Sequence, residues 1–263
     1  MKILHIWNTA GVASVLAKYQ SKVLGWHTWV ITRRSYDRYG LTIYGEALKT
    51  GTSTFVLKAL SLARKFDVIH VHSLDKIVPL FKLIYPSKPL ILHYHGSDIR
   101  NKWELKKKIW KKADLILVST PDLLSGAPEN VVYLPNPVDT ELFRPVHGSK
   151  NPNSALYIIK RQAGERIDWA YEVAEKLGLE LTIIDRVASP IPHIELPRFL
   201  NRFEYYIDRK HIPSLSKTAL EALACGLKVV NWKEEIVEGL PSEHKPDKVV
   251  NKLYKIMTDK ELV

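Results

Sequence analysis

Short apolar segments alternate with helical ones along the whole chain, and that alternation limits its fold more than any other feature. Residues 2–7, 28–32, 68–71, 90–93, 115–118 and 131–134 are apolar runs of strand length. Between them, residues 12–24, 52–65, 77–84 and 102–112 carry helical spacing. The second half repeats the rhythm, with strands expected at 156–159, 181–184, 205–207 and 228–231 and helices at 167–177, 196–202, 218–224 and 246–257. Strands separated by helices predict parallel sheets with helices on both faces, and near-continuous apolar strands suit that burial. Residues 135–153, with Pro135, Pro137, Pro145 and Pro152 and no periodicity, read as a linker. The expected fold class is α/β, with two doubly wound parallel-sheet domains, residues 1–145 and 146–263. A cleft is expected at the carboxyl ends of their strands, where such sheets take ligands.

Composition narrows the functional classes. Apolar residues at 46% and charged residues at 25% exclude a disordered chain. The single cysteine, Cys225, leaves no disulfide framework within the chain and fits a reducing cytoplasm. No apolar run approaches the roughly 18 residues of a membrane span. His5, Asn8 and Thr9 interrupt the apolar start, so residues 2–7 read as a buried strand rather than a leader. The net charge of +11 points to an acidic partner: nucleotide phosphate, anionic lipid or nucleic acid. No nucleic-acid-binding module is recognisable, so nucleic acid is not expected.

Several motifs sit at strand ends. Gly11 and Val12 lie between the first strand and its helix, where backbone amides and a helix N-terminus favour an anion; an ordinary strand–helix turn reads the same way. His72 ends the strand after Asp67, while His70 is expected to point into packing. His95 and Gly96 follow the strand at 90–93, where a histidine beside a glycine can donate to a phosphate or sugar hydroxyl; a surface turn is the plainer reading. Residues 102–112 form an amphipathic pattern with Trp103, Leu105, Ile109 and Trp110 on one side and Lys107, Lys108, Lys111 and Lys112 on the other. Lys106 falls within the apolar arc. Such a segment, from Trp103 to Lys112, suits an anionic membrane surface, or simply a solvated face over a buried stripe.

The string from Leu134 through Pro135, Asn136, Pro137 and Val138 to Pro145 is the most distinctive. It resembles the segment that leaves the N-terminal domain in retaining GT-B glycosyltransferases of family 4. Gly11-Val12, Gly25 to Val30, Asp67 to His72, His95-Gly96 and Ala113 to Ser119 resemble further landmarks in order. In the second half, Arg161 and Arg166 take the places of a basic pair on the donor diphosphate. Residues Lys217 to Val230 resemble the loop and helix whose glutamate, here Glu221, holds the ribose.

The resemblance implies a GT-B architecture: an acceptor-side domain, and a donor domain that looks short at its C-terminus because a terminal helix returning to the first domain is not evident. It implies a retaining transfer from a UDP-, GDP- or ADP-sugar to a sugar or lipid-linked acceptor, without metal or other cofactor, in the cytoplasm or at the inner membrane surface. Negative charge develops on the departing phosphate and must be stabilised. Arg161 and Arg166 would do so as fixed cations. The amides at Ser216 and Lys217, with the Lys217 ammonium, would add to them. His95 would position sugar and phosphate. Two departures favour a second expectation, a donor-binding or partner subunit without turnover: Pro213 stands eight residues ahead of Glu221, where the family has another glutamate, and the donor domain looks short at its C-terminus. A third departure is Lys160, which replaces the glycine usual before the arginine.

Overall fold

The computed structural model describes residues 1–146, 148, 150–159 and 165–263. The alternation produces two sheets, and the chain divides into two units.

The first unit comprises Met1–Pro137 and Pro246–Val263. Its strands are β1 (Lys2–Ile6), β2 (His27–Arg33), β3 (Glu46–Leu48), β4 (Val68–His72), β5 (Leu90–Tyr94), β6 (Leu115–Val118) and β7 (Val131–Tyr133). Its helices before the crossing to the second unit are α1 (Val12–Leu24), α2 (Thr52–Ala63), α3 (Val78–Ile84) and the single turn α4 (Lys107–Trp110). The seven strands run in the order β3-β2-β1-β4-β5-β6-β7, and each recorded pairing is parallel. The order reverses between β1 and β4, which makes that junction the switch point of the sheet.

Alternation along the strands sorts residues onto two faces. Leu4, Ile6, Ile69, Val71, Leu92 and Val118 pack with Phe55 and Ala59 of α2 and Phe81 of α3. Ile3, Val68, Ile91, Leu115 and Leu117 pack with Val12, Val15, Leu16 and Tyr19 of α1. Each such large side chain, fully buried, contributes about 1.5–3 kcal/mol. α1 begins after Gly11 (φ 76°) and stops at Gly25 (φ 68°). Both lie in the left-handed region that glycine enters without a steric penalty.

The second unit, Val138–Lys245, holds β8 (Asn151–Ile159), α5 (Ile167–Leu177), β9 (Glu180–Asp185), α6 (Leu196–Leu200), β10 (Phe203–Ile207), α7 (Lys217–Ala224), β11 (Lys228–Val230) and β12 (Ile236–Val237). Its sheet order is β12-β11-β10-β8-β9, parallel apart from the antiparallel edge strand β12. Leu156, Ile158, Tyr206, Leu220 and Leu223 lie in its main core.

Three expectations change. Residues 135–153 are not a free linker, because Val138 and Phe143 are buried in the second unit's core and Asn151 starts β8. The last helix, α8 (Pro246–Asp259), belongs to the first unit and not the second. It buries Val249, Val250, Leu253 and Met257 in the cluster built on α1, so the chain returns to the first unit in its last helix. The helix expected over 102–112 shrinks to α4. Trp103 and Trp110 are buried, and their indole N–H groups donate to the carbonyls of Leu123 (3.0 Å) and Trp103 (2.7 Å). Lys106 reaches the buried Asp75 carboxylate at 2.6 Å, which explains a lysine within the apolar arc. Both tryptophans are therefore spent on the core rather than presented to a membrane.

Candidate functional site

The carboxyl end of the first sheet gathers polar side chains that the strands alone would not predict. The register pairs His5 of β1 with His70 of β4, and His72 of β4 with His93 of β5. In parallel strands, paired residues share a face, and so do residues two apart. His5, His70, His72, His93 and His95 thus line the α1 side of the sheet, above the apolar layer of Ile3, Val68 and Ile91. Their rings lie close together, with centroids 4.2 Å apart for the stacked pair His70–His72 and for the tilted pair His93–His95.

A continuous hydrogen-bonded path joins most of them. Gln20 Oε1 on α1 lies 2.8 Å from His5 Nε2, and His5 Nδ1 lies 3.1 Å from His72 Nε2. His72 Nδ1 lies 3.0 Å from His95 Nε2. Ser119, just after β6, places Oγ 2.5 Å from His95 Nδ1 and 3.0 Å from His93 Nε2. Burial keeps these rings neutral. It pushes His5 down to about 4 against the opposing Gln20 bond, and His95 down to about 4 against the nearby Asp98 charge. His70, His72 and His93 are lowered first by burial and then by the neighbouring imidazoles.

The loops after β1, β4 and β5 are tied to one another. Thr9 Oγ1 donates to Ser73 Oγ (2.8 Å), and Ser73 donates to Asp98 Oδ2 (2.6 Å). The same carboxylate accepts from the amides of His95 (2.9 Å) and Gly96 (2.7 Å). Backbone strain collects here: Trp7, Ala10 and Ser73, none of them glycine, have φ of 76°, 52° and 60°. Such conformations cost of order 1–3 kcal/mol each and cluster at ligand sites.

Of the residues expected from sequence, the structure brings Gly11, His72, His95 and Gly96 to the strand-end region of the first sheet. Val12 is fully buried, and its side chain packs in the core beside α1. His95 differs from expectation: both ring nitrogens are engaged within the protein, so donation to a ligand requires breaking one of those bonds. Sequence reasoning missed His5, Gln20, His93, Ser73, Asp98 and Ser119. The signal was present as two His-x-His pairs on neighbouring parallel strands.

In the second unit, Ser216 caps α7 by accepting from the Ala219 amide (3.1 Å), while its own amide donates to Asp208 (2.8 Å). Glu221, 2% exposed, accepts from Lys217 at 2.8 Å and lies 3.6 Å from His193 Nε2. Burial alone would raise its pKa. The Lys217 ammonium and His193 outweigh burial and hold the carboxyl below its usual range. Ser216, Lys217 and Glu221 therefore do come together on α7. Arg166 stands at the start of α5, exposed, in an ion pair with Asp168 (2.6 Å). Arg161 lies outside the described residues. A pocket of about 690 Å³ elsewhere in this unit, between Ile184, Ile191, Arg198 and Arg202, includes none of these residues.

No protein-family model matches the chain, and no curated protein matches it by sequence. Solved structures do match. A sucrose-phosphate synthase from Thermosynechococcus elongatus aligns with a TM-score of 0.58 at 15% identity, covering 100% of this chain and 91% of that one. An alpha-glucosyltransferase in complex with UDP and a 13-mer DNA containing an HMU base aligns with a TM-score of 0.64 at 13% identity, again covering 100% and 91%. At these identities the likeness establishes the architecture. The chain has the GT-B fold, with two Rossmann-like α/β units.

Proposed function

We propose that this chain is a glycosyltransferase that moves a sugar, with retention of configuration, from a nucleoside-diphosphate sugar to a sugar or lipid-linked acceptor. The observation that carries this reading is the GT-B fold over the full length of the chain, shared with an alpha-glucosyltransferase in complex with UDP. The α7 terminus fits a donor as well. The amides at its start, near Ser216 and Lys217, and the Lys217 ammonium suit a diphosphate, and the Glu221 carboxylate suits ribose hydroxyls. Donor binding would replace the Lys217–Glu221 pair, with each partner turning to the ligand. The bond from the anomeric carbon to the β-phosphate oxygen breaks, the bond to the acceptor oxygen forms, and the acceptor proton passes to the departing phosphate. Lys217, Arg166 and Arg161 would carry the phosphate charge, with no metal on the diphosphate.

A second reading is a donor-binding subunit without turnover. It rests on Pro213, exposed in the loop before α7, and on the engagement of both His95 nitrogens. A thermal-shift and hydrolysis screen against UDP-, GDP- and ADP-sugars separates the two. Stabilisation by one nucleotide with release of its diphosphate supports transfer and names the donor. Stabilisation without turnover, with sugar and lipid acceptors supplied, supports the binding subunit. No stabilisation by any nucleotide overturns both.

A further inference from the structure

We propose that His72, His93 and His95 hold one divalent transition-metal ion of the zinc class at the carboxyl ends of β4 and β5. One ring nitrogen from each lies within 4.8 Å of the others. Tetrahedral zinc with bonds of about 2.0–2.1 Å to imidazole sets its ligand nitrogens roughly 3.4 Å apart, so binding draws the rings together.

The hydrogen bonds select the ligand atoms. His93 Nδ1 is buried and has no partner among the described residues, while His93 Nε2 faces Ser119 Oγ. His95 Nδ1 also faces Ser119 Oγ, which leaves His95 Nε2 for the ion. His72 Nε2 faces His5 Nδ1, which leaves His72 Nδ1, 3.0 Å from His95 Nε2. Every ligand then donates its other N–H to an acceptor. His93 and His95 donate to the two lone pairs of Ser119 Oγ, and His72 donates to His5. His5 in turn donates to Gln20 Oε1. A metal-bound histidine characteristically has such a partner, which fixes its tautomer and ring orientation.

A second triad, His5, His70 and His72, meets the same distance criterion. It fails the outer-shell test, because neither nitrogen of His70 has a partner among the described residues. An ion on one would leave an N–H stranded on the other. All three of its members are also fully buried, whereas His95 is only partly buried and gives an ion a way in. A neighbouring carboxylate also suits a cation at His72, His93 and His95: Asp98 accepts from the His95 backbone amide at 2.9 Å. Three neutral nitrogens with one open position match zinc better than they match magnesium or calcium, which take oxygen ligands. The ion would cross-link two adjacent strand ends and set the orientation of His95.

The test reads metal rather than transfer, so its outcome is independent of the proposed activity. Untagged protein is stripped with chelator, dialysed, and titrated with Co²⁺ and then Zn²⁺. The expected result is one equivalent bound per chain, with an intense cobalt d–d spectrum of low-coordinate geometry that zinc abolishes. His93→Leu should weaken binding at least 10-fold, and Ser119→Ala about 10- to 100-fold through the lost outer-shell bonds. His27→Gln, at an exposed site away from the triad, should leave binding intact. Folding of each variant is checked by circular dichroism. If His93→Leu does not fold, Ser119→Ala and X-ray absorption of the zinc-loaded wild type decide, the latter by multiple scattering from three imidazoles. The proposal is overturned if wild type binds no stoichiometric metal, if folded His93→Leu or Ser119→Ala binds as well as wild type, or if the absorption spectrum shows fewer than three imidazoles.

Discussion

Two histidines of the same cluster carry opposite stability consequences. His5 is bonded on both nitrogens, to Gln20 and His72. Replacing it with leucine strands two buried polar groups, each costing about 1–3 kcal/mol. His70 is fully buried with no partner for either nitrogen among the described residues; its ring stacks on His72 and His93 and lies tilted against His5. Leucine at position 70 removes an unsatisfied polar group and keeps much of the volume. Urea unfolding of the chelator-treated protein should show His5→Leu destabilised by about 2 kcal/mol or more, and His70→Leu within about 1 kcal/mol of wild type or above it. Equal losses at the two sites would mean that the hydrogen-bonded path does not stabilise the fold.

At the scale of elements, α8 tests how the first unit is closed. Its stripe of Val249, Val250, Leu253 and Met257 is fully buried beside α1, while its remaining faces carry Lys248, Lys252 and Lys255. Leu253→Ala should cost about 2–5 kcal/mol in denaturant unfolding, because a cavity opens where two helices and the sheet meet. A cost below 1 kcal/mol would place this helix outside the unit's cooperative core. The helix itself was legible from its 3.6-residue period, but its destination was not: periodicity shows that a face is apolar, not which partner covers it. The same limit explains 102–112, where both tryptophans were rightly placed on the apolar side. What covers them is the domain's own core, and Lys106 gave the warning. β12, at two residues, is too short to stand out from a loop, and β3, which opens on the exposed Glu46, lacks the apolar run that marks β7 and β11. The alternating strands of both sheets were plain because burial on both faces leaves little room for polar residues. The histidine cluster went unread as a unit because strand order, which brings β1 beside β4 and β4 beside β5, is not written in any local pattern.

For the whole molecule, the cluster makes acid stability a measurable property. In the unfolded chain a histidine takes up its proton near pH 6.5. In the folded chain burial delays that step to about 4 for His5 and His95 and lowers His70, His72 and His93 as well. Between these limits the unfolded state binds more protons, so lowering the pH favours unfolding. The stabilising contribution is fully present above pH 6.5 and is lost progressively as pH falls toward 4. Each extra proton bound by the unfolded chain adds about 1.4 kcal/mol per pH unit to the slope. The net charge of +11 works in the same direction, since added protons increase self-repulsion in the compact state. Chelator-treated protein should therefore lose several kcal/mol between pH 6.5 and 5 in urea unfolding, with a slope above that of a single titrating group. Replacing His93 with leucine should reduce that slope, because one buried imidazole no longer resists protonation. A stability that stays flat from pH 6.5 to 5 would show that water reaches these rings in the folded chain, and the cluster would then be an open polar surface rather than a dry column of neutral imidazoles.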